Sequence, residues 1–175
     1  MSDTDIKQRI FFDLDGVLAT WQDAAIEDVA KPGYFSSLPS NRNVVLAFKR
    51  LEQRTDIDLY ILSSVFSDDH SREDKKIWVK NQLGLSEGRQ IYAPYGTEKE
   101  DALKDIGGIK KTDVLIDDFS RNLRNWSGIP IKLYNGINGT HGTWHGFSVH
   151  SSMDPEILEE QIYAISRLRA YSCII

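Results

Sequence analysis

Short unbroken apolar runs and longer stretches with helical spacing take turns along this chain. The first run is Ile10-Phe11-Phe12, and it stops at Asp13. Mostly apolar stretches follow at residues 57–62, 90–93, 113–116 and 130–134. Runs without polar interruption suit strands buried on both faces, as in a parallel sheet. Residues 41–53 carry Val44, Phe48 and Leu51 on one helical face. Residues 71–83 read as a helix that opens on Ser71 and Asp74, a capping-box-like pair, and stops at Gly84. Residues 22–31, 98–106 and 120–126 read as shorter helices, the first closed by Pro32-Gly33 and the second by Gly107-Gly108. Asp154 and Pro155 mark the start of a last helix, with Leu158, Ile162, Ile165 and Leu168 along one face. This alternation predicts an α/β fold, a parallel sheet of about five strands with helices on both faces.

The ends of the strands carry the chemistry. The first stops at Asp13 and Asp15, with Gly16 directly after. The second stops at Ser63 and Ser64, and the fourth at Asp117 and Asp118. Open α/β sheets bind ligands at the carboxyl ends of their strands. Paired carboxylates there suit a hard cation such as Mg²⁺, and they suit nucleophilic catalysis by a carboxylate. Each feature also has a plainer account: an Asp-Gly turn for Asp13–Gly16, turn capping for the serines, and a helix N-terminus for Asp117 and Asp118. Lys75 and Lys76, on the helical stretch between strands, are either site residues or solvated surface.

Composition narrows the partners. At 175 residues the chain reads as a single domain, 1–175, with 41% apolar and 27% charged residues. A net charge of −5 argues against a long nucleic acid as partner. It leaves a phosphorylated small molecule open, because a bound divalent cation reverses the local sign. Cys173 is the single cysteine, so no internal disulfide forms and a reducing, cytoplasmic setting is expected. Residues 1–5 lack the pattern of a secretory signal, and no apolar stretch is long enough to span a membrane. His70, His141, His145 and His150 show no zinc-ligand pattern; two of them lie in the glycine-rich loop 135–146.

On these residues the chain resembles the haloacid dehalogenase (HAD) superfamily of phosphotransferases. Its four signatures map to Asp13-Leu14-Asp15-Gly16-Val17-Leu18, to Ser63, to a lysine and to Asp117-Asp118. Within that superfamily, Pro32-Gly33-Tyr34-Phe35, Glu73-Asp74-Lys75-Lys76-Ile77-Trp78-Val79 and Leu115-Ile116-Asp117-Asp118 are similar to the 5′(3′)-deoxyribonucleotidase family. Its Lys-x-x-Trp-Val pattern selects Lys75 over Lys76. The resemblance spans residues 9–145 and implies a Rossmann-like HAD fold with a minimal C1-type cap at 19–40. It also implies a Mg²⁺-dependent phosphomonoesterase acting through an aspartyl-phosphate.

In that scheme Asp13 is nucleophile and metal ligand. Asp15 is the general acid and base and binds the metal through its main-chain carbonyl. Asp118 is the third ligand and Asp117 acts through water or from behind, although the reverse order stays open. Ser63, Ser64 and Lys75 hold the phosphate. Tyr34 and Phe35, with Trp21 as a weaker candidate, either stack on a nucleobase or pack the cap on the core. The implied substrate is a deoxyribonucleotide. A sugar phosphate, a polynucleotide end or a phosphoprotein are alternatives, as is a binding module without catalysis.

Two departures from the family stand out. Only residues 19–31 are available for the cap, enough for one helix of about three turns. The site is therefore expected to be open, or covered by a second subunit of a homodimer. Residues 93–111 are longer than the family pattern, so no role transfers to them.

Overall fold

Ile10, Phe11 and Phe12 lie fully buried near the middle of a six-stranded sheet. The computed structural model describes residues 7–22, 24–68, 70–137 and 144–168; residues 1–5, His141 and Cys173 lie outside these. The strands are β1 (Gln8–Phe12), β2 (Ile57–Val65), β3 (Gln90–Pro94), β4 (Val114–Asp117), β5 (Ile129–Tyr134) and β6 (Phe147–His150). They are ordered β3-β2-β1-β4-β5-β6, and every neighbouring pair is parallel. This is a Rossmann-like arrangement.

The sheet has six strands where the sequence pattern predicts about five. The additional one is β6, a four-residue edge strand in which Val149 alone is buried. A strand with one buried side chain has no apolar run to betray it.

Side chains on β1 alternate between the two faces. Ile10 and Phe12 join a large cluster with α3 (Arg42–Glu52), α4 (Ser71–Leu83) and α6 (Pro155–Arg167). Phe11 joins a smaller one with Leu62, Leu115, Leu103 of the 3-10 stretch Lys99–Ile106, and Leu123 of α5 (Ser120–Arg124). Helices thus cover both faces, as predicted. No helix among the described residues is long and apolar enough to cross a membrane.

Several local expectations change. The bounds of α4 match, but its capping box does not form. Asp68 Oδ1 instead accepts from the backbone N–H of His70 at 2.8 Å and of Ser71 at 2.6 Å. Asp74 Oδ2 accepts from Gly33 N–H at 2.7 Å. The predicted helix over 22–31 shrinks to one turn, α1 (Ile26–Val29), followed by another, α2 (Tyr34–Ser37). Short helices do not persist without tertiary packing, and α4 supplies what packing there is. Besides the bond to Gly33, Trp78 Nε1 donates to Leu38 O at 2.8 Å. The start of α6 is as predicted, with Asp154 Oδ1 accepting from Glu156 N–H at 2.9 Å. Leu158 and Ile162 are fully buried, whereas Leu168, past the last turn, is 54% exposed.

One buried ion pair ties the end of the 3-10 stretch to the sheet. Arg9 pairs with Asp113 and also donates to the carbonyls of Ile106, at 2.9 Å, and Gly108, at 2.6 Å. Removing one partner leaves the other charge buried and uncompensated. Arg9→Met is expected to destabilise the fold by about 3–5 kcal/mol, read as a lowered midpoint in urea unfolding.

Candidate active site

The strand order reverses between β1 and β4, and a crevice opens beyond their carboxyl ends, where such sheets bind ligands. Asp13 follows β1, Asp117 ends β4 and Asp118 follows it. All three are buried, and each offers a carboxylate oxygen within 4.8 Å of the others. That donor set, hard oxygens only, can hold a metal ion.

Each acid is held differently. Asp13 Oδ1 accepts from Leu14 N–H at 2.8 Å and lies 3.0 Å from Lys99 Nζ. Its Oδ2 has no hydrogen-bond partner among the described residues. Asp117 has both oxygens engaged: Oδ1 by Phe119 N–H at 2.7 Å, Oδ2 by Lys99 Nζ at 2.7 Å and Asn122 Nδ2 at 2.9 Å. Asp118 Oδ2 accepts from Asn135 Nδ2 at 2.9 Å, and the same nitrogen donates to Gly16 O at 2.8 Å. Lys132 Nζ donates to the main-chain carbonyl of Asp118 and to Ser120 Oγ.

Gly16 completes this arrangement. Its φ is +76°, and a Cβ there would collide with the Asp118 carboxylate. The turn after β1 therefore needs glycine twice over, for its backbone angle and for the close approach of Asp118.

Asp15 stands in a separate environment. Its Oδ2 accepts from Lys75 Nζ at 2.5 Å, while its Oδ1 is buried without a hydrogen bond from any described residue. Lys75, itself buried, also lies 3.2 Å from Ser63 Oγ and sits 4.5 Å over the Phe35 ring. Lys76 points outward and pairs with Glu73 at 3.0 Å. Ser63 is fully buried, whereas Ser64 lines the cavity at the site. Phe35 is buried in the core, and Tyr34 packs against it edge-on with ring centres 5.1 Å apart.

The cavity measures about 470 Å³. Asp13, Asp15 and Asp118 line it, together with Trp21, Tyr95 and Phe119.

Crowding shifts the acids. Burial raises the Asp118 carboxyl well above the usual carboxylate range, and the charges of Asp117 and Asp13 add to it. Burial likewise raises Asp117, against the pull of Lys99. It raises Asp15 too, partly offset by Lys75. Burial works against the Lys99 ammonium, but Asp117 and Asp13 outweigh it and raise its pKa.

Lys99, Asn135 and Lys132 are the site residues that sequence reasoning missed. The resemblance assigned the lysine beside the nucleophile to Lys75, which reaches Asp15; the one beside Asp13 is Lys99. A signal was available, since a lysine soon after β3 must emerge at the same carboxyl edge as the acids.

A scan against protein-family models and a search of curated proteins both find no match for this chain.

Gly16→Ala is expected to push Asp118 off Asn135. Left-handed backbone costs a residue with a Cβ about 1–2 kcal/mol, and divalent-ion affinity measured by calorimetry should fall at least about tenfold. Asn135→Ala should weaken divalent-ion binding about 10–100-fold and destabilise the fold by about 1–3 kcal/mol, read as a lowered unfolding midpoint.

Proposed function

We propose that this protein is a Mg²⁺-dependent phosphomonoesterase that works through an aspartyl-phosphate on Asp13. The observation that supports this most is the meeting of Asp13, Asp117 and Asp118 at the switch point of the sheet, with Asp15 and two buried lysines beside them. The resemblance to the HAD superfamily points the same way. Asp13 and Asp118 would hold the ion directly. Asp117, both of whose oxygens already take protein donors, would orient the site from behind. When bound, the ion offsets the charge of the phosphate and lets an anionic nucleophile approach.

The residues divide the remaining work. Asp13 Oδ2, which takes no hydrogen bond from a described residue, attacks phosphorus, and the P–O bond to the leaving alcohol breaks. Asp15 gives that oxygen a proton. Asp15 then takes a proton from water, whose oxygen attacks phosphorus, breaks its bond to Asp13 and releases inorganic phosphate. Lys99 fixes Asp13 from one side, and Lys75 fixes Asp15 from the other. Ser64 lines the cavity and would donate to a phosphate oxygen.

The substrate is read as a nucleoside monophosphate, in keeping with the deoxyribonucleotidase-like segments. One observation favours a second reading, another phosphate ester. Of the two roles open to Phe35, base stacking or packing the cap on the core, its burial under Lys75 favours the second. The insertion that would act as a cap is two single turns of helix, which leaves the site open.

Asp13→Asn is expected to lower Mg²⁺-dependent release of phosphate from p-nitrophenyl phosphate by at least about a thousandfold. Its circular dichroism should stay unchanged. Substantial residual hydrolysis would remove Asp13 as nucleophile.

A further inference from the structure

The cavity is walled by residues that the proposed chemistry does not use. Tyr95 sits in the turn after β3, Phe119 and Arg121 in the segment after β4. The Tyr95 turn is closed by Thr97 N–H donating to Pro94 O at 3.1 Å, with Gly96 at φ +86°. That geometry turns the Tyr95 ring outward, 72% exposed, yet Phe66 backs it with ring centres 5.0 Å apart. An exposed ring propped in this way is a surface already fixed for stacking.

On the opposite wall, Phe119 is half exposed and its backbone is fixed by the bond to Asp117. Arg121 lines the same cavity as Asp13, Asp15, Asp118 and Glu98. It is a cation beside several acids, with no ion-pair partner among the described residues.

Strand order sets how these walls are spaced. β3 and β4 are separated by β2 and β1, so three interstrand steps put their ends roughly 14 Å apart. β1 and its acids lie between the two walls at that spacing. The separation suits a leaving group that extends from one wall to the other across the acids on β1.

We infer that the leaving alcohol carries an aromatic ring, which stacks on Tyr95, and a second phosphate, which meets Arg121. This is the chemistry of a nucleoside bisphosphate. The inference rests on the phosphomonoesterase reading and adds to it the residues that select the substrate. They lie in the turn after β3 and at the start of α5 rather than on the insertion, which fits an insertion too small to enclose a base.

The test compares kcat/KM for adenosine 3′,5′-bisphosphate, adenosine 5′-monophosphate and glycerol phosphate. Wild type should prefer the bisphosphate to the monophosphate by at least about tenfold, and Arg121→Gln should abolish that preference. Tyr95→Ala should cost both nucleotides about tenfold more than it costs glycerol phosphate. Absence of the preference, or ratios unchanged in the variants, overturns the inference while hydrolysis itself continues. If wild type hydrolyses no ester, the phosphomonoesterase reading fails. Calorimetry with adenosine 3′,5′-bisphosphate and Mg²⁺ then decides the subsite: binding about tenfold weaker in both variants upholds it, and equal binding or none overturns it.

Discussion

Three carboxylates packed into a buried crevice are the constraint around which this end of the molecule is built. Two unit charges within 4.8 Å of each other repel by at least about 3 kcal/mol at an effective dielectric constant of about 20. Burial adds its own penalty for each charge. Lys99 bridges Asp13 and Asp117, Asn135 holds Asp118, and backbone N–H groups of Leu14 and Phe119 take up further oxygens. These donors make the cluster tolerable without dispersing it. A packed core has no need to gather three acids and then tether them so closely. Retaining them is understandable if a cation, and through it an anionic substrate, is what the crevice receives.

The helix α4 links that crevice to the insertion after β1. One side chain, Asp74, holds the turn at Gly33; another, Trp78, holds Leu38; a third, Lys75, reaches the site. Phe35, on α2, lies beneath the Lys75 ammonium. The small insertion is therefore fastened to the same helix that positions a site charge. A shift of α2 would be felt at Lys75 and so at Asp15, although neither one-turn helix adds a residue to the acid cluster.

Much of this was legible in the sequence because burial leaves a pattern. Ile10-Phe11-Phe12 and Leu115-Ile116 have no polar interruption, so their strands, and the acids that end them, could be found. The bounds of α4 and the start of α6 follow from Gly84 and from Asp154-Pro155, residues whose roles are local. What escaped depends on contacts far apart in sequence. Asn135 matters because it touches Gly16 and Asp118, 119 and 17 residues away. The Ser71–Asp74 pair fits a local capping rule, yet Asp74 is drawn to Gly33, a tertiary partner. β6 is an edge strand held by pairing with β5 rather than by an apolar run. Lys99 was hidden by a resemblance that offered Lys75 first.

Asp13 and Asp15 are two residues apart and yet meet different partners. Asp13 faces β4, where it shares Lys99 with Asp117 and has one oxygen without a donor among the described residues. Asp15 comes after the chain has begun to turn and faces Lys75 from α4, with one oxygen buried and without a hydrogen bond from any described residue. Two carboxylates with unlike surroundings can take unlike parts in one reaction, because environment decides which stays charged and which carries a proton. On the proposed reading the first forms the bond to phosphorus and the second handles the proton. The division follows from topology: one lysine arrives from the loop after β3 and the other from the helix after β2, so each approaches the Asp13–Asp15 turn from its own direction.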